Sequence, residues 1–273
     1  MGSNRESGAT VRLRWGEVIG FPVTVGEVGS VGIEVLRLAR SHSGGHVCVA
    51  NVHMLTAARS DLHLREVIED AAIVVSDGMP LVWRLRRAGH ADAQQVRGPD
   101  LTVHLCRRAA AEGVPVFFYG GDEALIAALV ERLRREAPGL RIAGAEAAPL
   151  LPLRPEVDPA LLERIRSSGA GLVFVGLGCP KQEFWMEAYR PHLDAVLLGV
   201  GQAFAIAAGR LAEAPAWMRR MGLEWLFRLV KEPRRLWRRY LTANSRFVAL
   251  VVLEEIAWLL GRSGARRRPL GSP

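Results

Sequence analysis

From about residue 46 the chain alternates short apolar runs with amphipathic stretches, and that alternation constrains the fold more than any other feature of the sequence. "HVCVAN", "AAIVVSDG", "VPVFFYGG", "LRIAGA", "GLVFVGLG" and "DAVLLGVG" each have the length and composition of a core strand. Between them "DEALIAALVERLRREA" places Leu125, Leu129 and Leu133 on one helical stripe, and "PDLTVHLCRRAAAEG" opens with Pro99 and closes with Gly113. Strands that alternate with helices predict an α/β, Rossmann-like parallel sheet covered on both faces. "GEVIGFPVTVGEVGS" near the start reads as a hairpin-like edge unit, and "APLLPLRPEVDP" as a proline-rich loop between two βα units.

After residue 210 the pattern changes. "EAPAWMRRMGLEWLFRLVKEPRRLWRRYLTANSRFVALVVLEEIAWLL" carries helical period, aromatics and arginine, with no strand. The net charge of the chain is +8. Between Arg210 and Arg246 ten basic residues face only Glu213, Glu224 and Glu232, so most of the excess lies there. The expected organisation is a flexible start over 1–14, an α/β core over 15–209, a basic helical appendage over 210–262 and a flexible tail over 263–273. The first residues show no apolar core of a signal peptide, and Glu6 stands where a myristoylation motif wants Ser or Thr. Glu254 and Glu255 interrupt the most membrane-like run, "FVALVVLEEIAWLLG", well short of a span. Cys48, Cys106 and Cys179 are scattered, which fits a reducing compartment and no metal-ligand spacing.

Strand ends are where open α/β sheets bind ligands. Asn51 and His53 follow the first core strand, and Asp77 with Gly78 follows the second. Asparagine is also an ordinary helix cap and Asp-Gly an ordinary turn, while a carboxylate at a strand end is well placed as a general base. Gly120 and Gly121 join a strand to a helix and let a phosphate approach backbone N–H groups, without matching a dinucleotide or Walker A fingerprint. "VGLGCPKQEFW" sets Lys181 and Gln182 at another strand mouth, as ligand contacts or as the solvated first turn of a helix begun by Pro180. No D-x-D motif occurs, so a nucleotide-sugar enzyme of this sequence would neutralise its leaving diphosphate with backbone dipoles and arginines.

In order, "ANVHML", "SDGMPLVW", "VRGPDL", "FFYGG", "VGLGCPKQEFW", "GVGQAF" and "GLEWLFRLVKEPRRLWRRY" resemble the WecG/TagA/CpsF family of bacterial glycosyltransferases, over about residues 20–245. The resemblance implies an inverting, metal-independent hexosyltransferase with no cofactor. It would move an N-acetylmannosamine-type, glucosyl or uronic acid sugar from UDP to a polyprenyl-diphosphate-linked sugar, in the synthesis of cell-envelope polysaccharides. By the same resemblance Asp77 matches the base, with Asn51 and Gln182 beside it. Gly78, Gly120, Gly121, Gly176, Lys181 and Gln182 would meet the donor, and His53, Arg219, Arg228, Arg235 and Arg238 the acceptor side and the appendage. The partners implied are the UDP-sugar, the lipid-linked acceptor and an anionic membrane surface, with a homo-oligomer possible and no nucleic acid. The enzyme would be cytoplasmic, peripheral on the inner face of the plasma membrane.

The chain departs from the family pattern at Val49 (often threonine), Gln95 (often arginine), Ala205 (commonly aspartate) and Glu213 (within a usual R-A-P). Two readings from other classes remain open at this point. One is a doubly wound module that binds a nucleotide without catalysis. The other is nucleic-acid binding through the arginine- and aromatic-rich segment.

Overall fold

The computed structural model describes residues 13–259. The flexible ends expected over 1–14 and 263–273 fall outside these residues, except for 13 and 14; Arg14 is the first residue of a strand. That strand, β1 (Arg14–Val18), pairs antiparallel with β2 (Phe21–Val25). The hairpin-like reading had run on to Ser30, but α1 (Val28–Arg40) begins first. Glu27 and Ser30 form a capping box there, which satisfies donors at the helix start.

The elements then follow as β3 (His46–Ala50), α2 (Val52–Ala58), α3 (Leu62–Glu69), β4 (Ile73–Ser76), α4 (Met79–Arg87) and α5 (Gly98–Glu112). Next come β5 (Val116–Gly120), α6 (Glu123–Glu136), β6 (Ile142–Glu146), α7 (Pro159–Ser167), β7 (Leu172–Gly176), α8 (Lys181–Tyr189), β8 (Val196–Gly199) and α9 (Ala203–Ala207). The last helices are α10 (Ala216–Arg220), α11 (Glu224–Lys231) and α12 (Pro233–Leu259).

Strands β3 to β8 form one parallel sheet in the order β4-β3-β8-β7-β5-β6. Apart from the half-exposed edge strand β6, their apolar runs are continuous because both faces are covered. One core, with Met54, Leu64, Leu81, Leu161 and Trp185, packs under α2, α3, α4, α7 and α8; the other, with Val35, Leu105, Leu129 and Phe204, lies under α1, α5, α6 and α9. The steps β3 to β4 and β6 to β7 to β8 run toward the β4 edge over the first face. The steps β4 to β5, through α5, and β5 to β6 run the other way over the second. Right-handed crossovers require this segregation. Because α2 and α8 leave to one face and α6 and α9 to the other, crevices open at the carboxyl ends of β3, β8, β7 and β5.

The arginine-rich end is wholly helical. Its longest helix, α12, packs alongside α2 and buries Leu236, Ala243 and Phe247, the last joining the core of the first face. Glu254 and Glu255, which break the apolar run, both pair with Arg84 of α4, at 2.8 and 2.5 Å. Among the described residues no helix is long and apolar enough to cross a membrane.

Candidate active site

Parallel register brings the first two strand ends together. Ala50 pairs with Ser76, and the next amide, Asp77 N–H, donates to Ala50 O at 2.8 Å. Asn51 and Asp77 therefore leave the sheet side by side. Asn51 caps α2, its side chain accepting from Met54 N at 3.2 Å, an interaction worth about 1 kcal/mol. It also lines the cavity into which Asp77 faces, so its role as a cap does not exclude it from that cavity.

Asp77 Oδ1 accepts from Gly98 N at 2.9 Å, and Gln95 Nε2 donates to the Asp77 carbonyl at 2.5 Å. Gln95, one of the departures noted above, thus braces the backbone of the carboxylate. Burial and then Glu224 push the Asp77 carboxyl above its ordinary pKa; Arg228, the Gly98 N–H and Arg97 pull the other way. A desolvated carboxylate balanced by cations is suited to accept a proton.

A cavity of about 100 Å³, open to solvent, lies around Asp77. Its floor is Asn51, His53, Asp77 and Gly78 from the sheet side; its roof is Arg219, Glu224, Trp225, Arg228, Arg239 and Tyr240 from the appendage. Burial, reinforced by Arg239, lowers His53 to about 4, so its imidazole is neutral near pH 7. Arg228 donates to Gln202 Oε1 at 2.9 Å and pairs with Glu224 at 3.0 Å, which ties α11 to the end of β8.

The other residues singled out by the sequence form a second cluster on the same edge. Gly120 (φ +131°) lies against the backbone of Gly176, where an added Cβ would come within 2.7 Å, so β5 and β7 turn away in contact with each other. Gly121 follows in the left-handed region, at φ +70°. Lys181 Nζ donates to Leu151 O at 2.6 Å and anchors the proline-rich loop. Gln182 is 3 % exposed: its Oε1 accepts from Gly178 N at 3.0 Å and its Nε2 donates to Glu183 Oε1 at 2.8 Å. Its amide is occupied in holding the turn after β7, and it does not line the Asp77 cavity.

Two of the four appendage arginines read from the sequence, Arg219 and Arg228, reach the cavity. The other two do not. Arg235 pairs with Glu232 at 2.9 Å and Arg238 lies over the Trp237 ring, both on the exposed face of α12. The inward face of α12 presents Arg239, Tyr240, Ala243 and Asn244 instead. Sequence reasoning missed Arg239, Tyr240 and Glu224, and also Arg97, although "VRGPDL" had been noted as a motif. Arg97 is 3 % exposed and touches Asp100, Glu213 and Glu224.

A carboxylate at a strand end, a neutral imidazole lining the same cavity and a roof of guanidinium groups suit transfer of a group that departs as an anion. Among the described residues no cluster of three or more His, Cys, Asp or Glu side chains is placed to hold a metal ion. A sequence model described as "Glycosyl transferase WecG/TagA/CpsF family" matches residues 17–259, which takes in the sheet, the cavity and nearly all of the appendage. The chain belongs to the WecG/TagA/CpsF family of glycosyltransferases.

Proposed function

We propose that the protein transfers a sugar from a UDP donor to a polyprenyl-diphosphate-linked sugar in cell-envelope polysaccharide synthesis, with inversion and without a metal. The observation that carries this reading is the meeting of Asp77 with Arg219, Arg228 and Arg239 in one cavity. In the reaction Asp77 takes the proton of an acceptor hydroxyl, and the hydroxyl oxygen attacks the anomeric carbon from the face opposite UDP. The bond from that carbon to the diphosphate oxygen breaks, and UDP departs with the electron pair. Arginines aimed at the diphosphate stabilise the charge that develops there. The turn of Gly120 and Gly121 offers backbone amides to the nucleotide, and Gln182 supports the donor side by fixing the turn after β7. The experiment is UDP release from several UDP-sugars with and without a lipid-diphosphate acceptor. Release should require the acceptor and survive EDTA. Release that collapses with chelator and returns with Mg²⁺ or Mn²⁺ overturns metal independence, and no release from any pair overturns the function.

The second part of the proposal is attachment to the inner face of the plasma membrane through the appendage. Arg234, Arg235 and Arg238 are exposed on α12; Trp217 is exposed on α10, Trp237 beside those arginines, and Val248, Val252, Leu253 and Ile256 farther along α12. Basic residues at an anionic leaflet contribute about 1 kcal/mol each, and indole rings favour the interface. The apolar groups are what a lipid surface uses and a nucleic-acid backbone does not, which favours the membrane over the nucleic-acid reading. The protein should sediment with anionic vesicles, bind neutral ones poorly and be released by salt. Equal binding to both, or to neither, overturns it.

A further inference from the structure

Arg97 stands at the start of α5, buried, with its guanidinium directed at two carboxylates from beyond residue 210. Nη1 donates to Glu213 Oε2 at 2.9 Å and to both oxygens of Asp100 at 3.2 Å; Nε and Nη2 donate to the two oxygens of Glu224 at 3.3 Å each. Each appendage acid also holds an appendage arginine, Arg219 on Glu213 at 2.8 Å and Arg228 on Glu224 at 3.0 Å. Three guanidinium groups thus meet three carboxylates, and the cluster is neutral as a whole. A buried guanidinium is costly unless its N–H groups are matched, so the seated appendage is what makes the burial of Arg97 tolerable. The residue after Arg97 supplies the N–H that holds Asp77 Oδ1. One short segment therefore grips the base on one side and the roof of its cavity on the other.

We infer that Arg97 is a positioning residue, a clasp that seats the appendage over the Asp77 cavity and thereby fixes the surroundings in which Asp77 titrates. The seating stands on the geometry alone; the relevance to catalysis rests on Asp77 being the base proposed above. The groups that face Asp77 are Arg97 from α5, His53 from α2, Arg219 from α10, Glu224 and Arg228 from α11, and Arg239 and Tyr240 from α12. Burial is the first cause of the raised Asp77 pKa and Glu224 the second. Lifting the appendage lets water reach the carboxyl and removes Glu224, and with it Arg228, which pulls the other way. Burial and Glu224 are the larger causes, so the carboxyl falls toward its ordinary value. Removing the Arg97 charge under a still-seated roof would raise it instead, so the direction of the shift separates the two cases.

The test uses the full chain carrying Arg97→Met, read by hydrogen–deuterium exchange and by the ¹³Cγ shift of Asp77 against pH in selectively labelled protein. Amides of 216–231 should exchange at least ~10-fold faster while those of β3, β7 and β8 keep their protection, as local opening without global unfolding requires. The Asp77 midpoint should move down, and Arg97→Lys should restore both readouts in part. If Arg97→Met fails to fold, the double variant Glu213→Gln, Glu224→Gln leaves Arg97 paired with Asp100 and should loosen the same helices. Unchanged exchange over 216–231 in a folded variant overturns the clasp, and an unmoved or raised Asp77 midpoint overturns its hold on the base. Neither readout depends on turnover, so an enzyme inactive on every sugar pair would refute the proposed function and leave the clasp to be decided by exchange.

Discussion

Asp77→Asn should lower turnover by roughly 10²- to 10⁴-fold, the usual contribution of a general base. The substitution is nearly isosteric, and the amide oxygen can still accept from Gly98 N, so the Asp77 turn and the fold should be retained. The acid limb of the rate profile should lie above the ordinary aspartate value in the parent enzyme, because burial and Glu224 raise the Asp77 pKa. In the variant that limb should vanish along with most of the rate. The loss belongs in kcat, since the missing proton transfer occurs only in the transition state. Near-normal turnover in a folded Asp77→Asn protein sinks the assignment.

The second large effect is on stability and comes from Glu183. Its side chain is fully buried; Oε1 accepts from Gln182 Nε2, and Oε2 has no hydrogen-bond partner among the described residues. Burial raises this carboxyl from 4.5 to about 7. A folded pKa above the unfolded one means that the contribution is fully present below about pH 4.5 and is lost as pH rises through about 7. The interval corresponds to about 3 kcal/mol. Glu183→Gln cannot ionise, so its stability relative to the parent should be flat below pH 4.5 and rise by about that amount above pH 7. His46 and His53, whose pKa values are lowered by desolvation, titrate in the opposite sense and are common to both proteins, so the difference isolates Glu183. Urea melts of both proteins across this range give the comparison, and parallel pH profiles would contradict the account.

The architecture was legible because it follows from local pattern. Six apolar runs became six parallel strands, and placement at strand ends was enough to bring Asn51 and Asp77 into one cavity. Legibility stopped where a residue's role depends on distant chain. Arg97 is 116 and 127 residues from Glu213 and Glu224, and no spacing in "VRGPDL" announces those partners. Helix phase was the second limit. A break at Glu232 separates α11 from α12, so the face that carries Arg228 does not predict the inward face of α12, which selects Arg239 over Arg235 and Arg238. Gln182 illustrates a third limit. Its place in a strand-end motif was visible, but its amide is used between Gly178 and Glu183, and only the packing of the turn reveals that.

The most direct test of the central claim is the stereochemistry of transfer from an α-linked UDP-sugar to a soluble lipid-diphosphate acceptor, read by NMR of the anomeric proton in the product. A single displacement assisted by one base, with UDP leaving toward the arginine roof, predicts a β linkage. An α-linked product, or UDP released with no sugar joined to the acceptor, would contradict it.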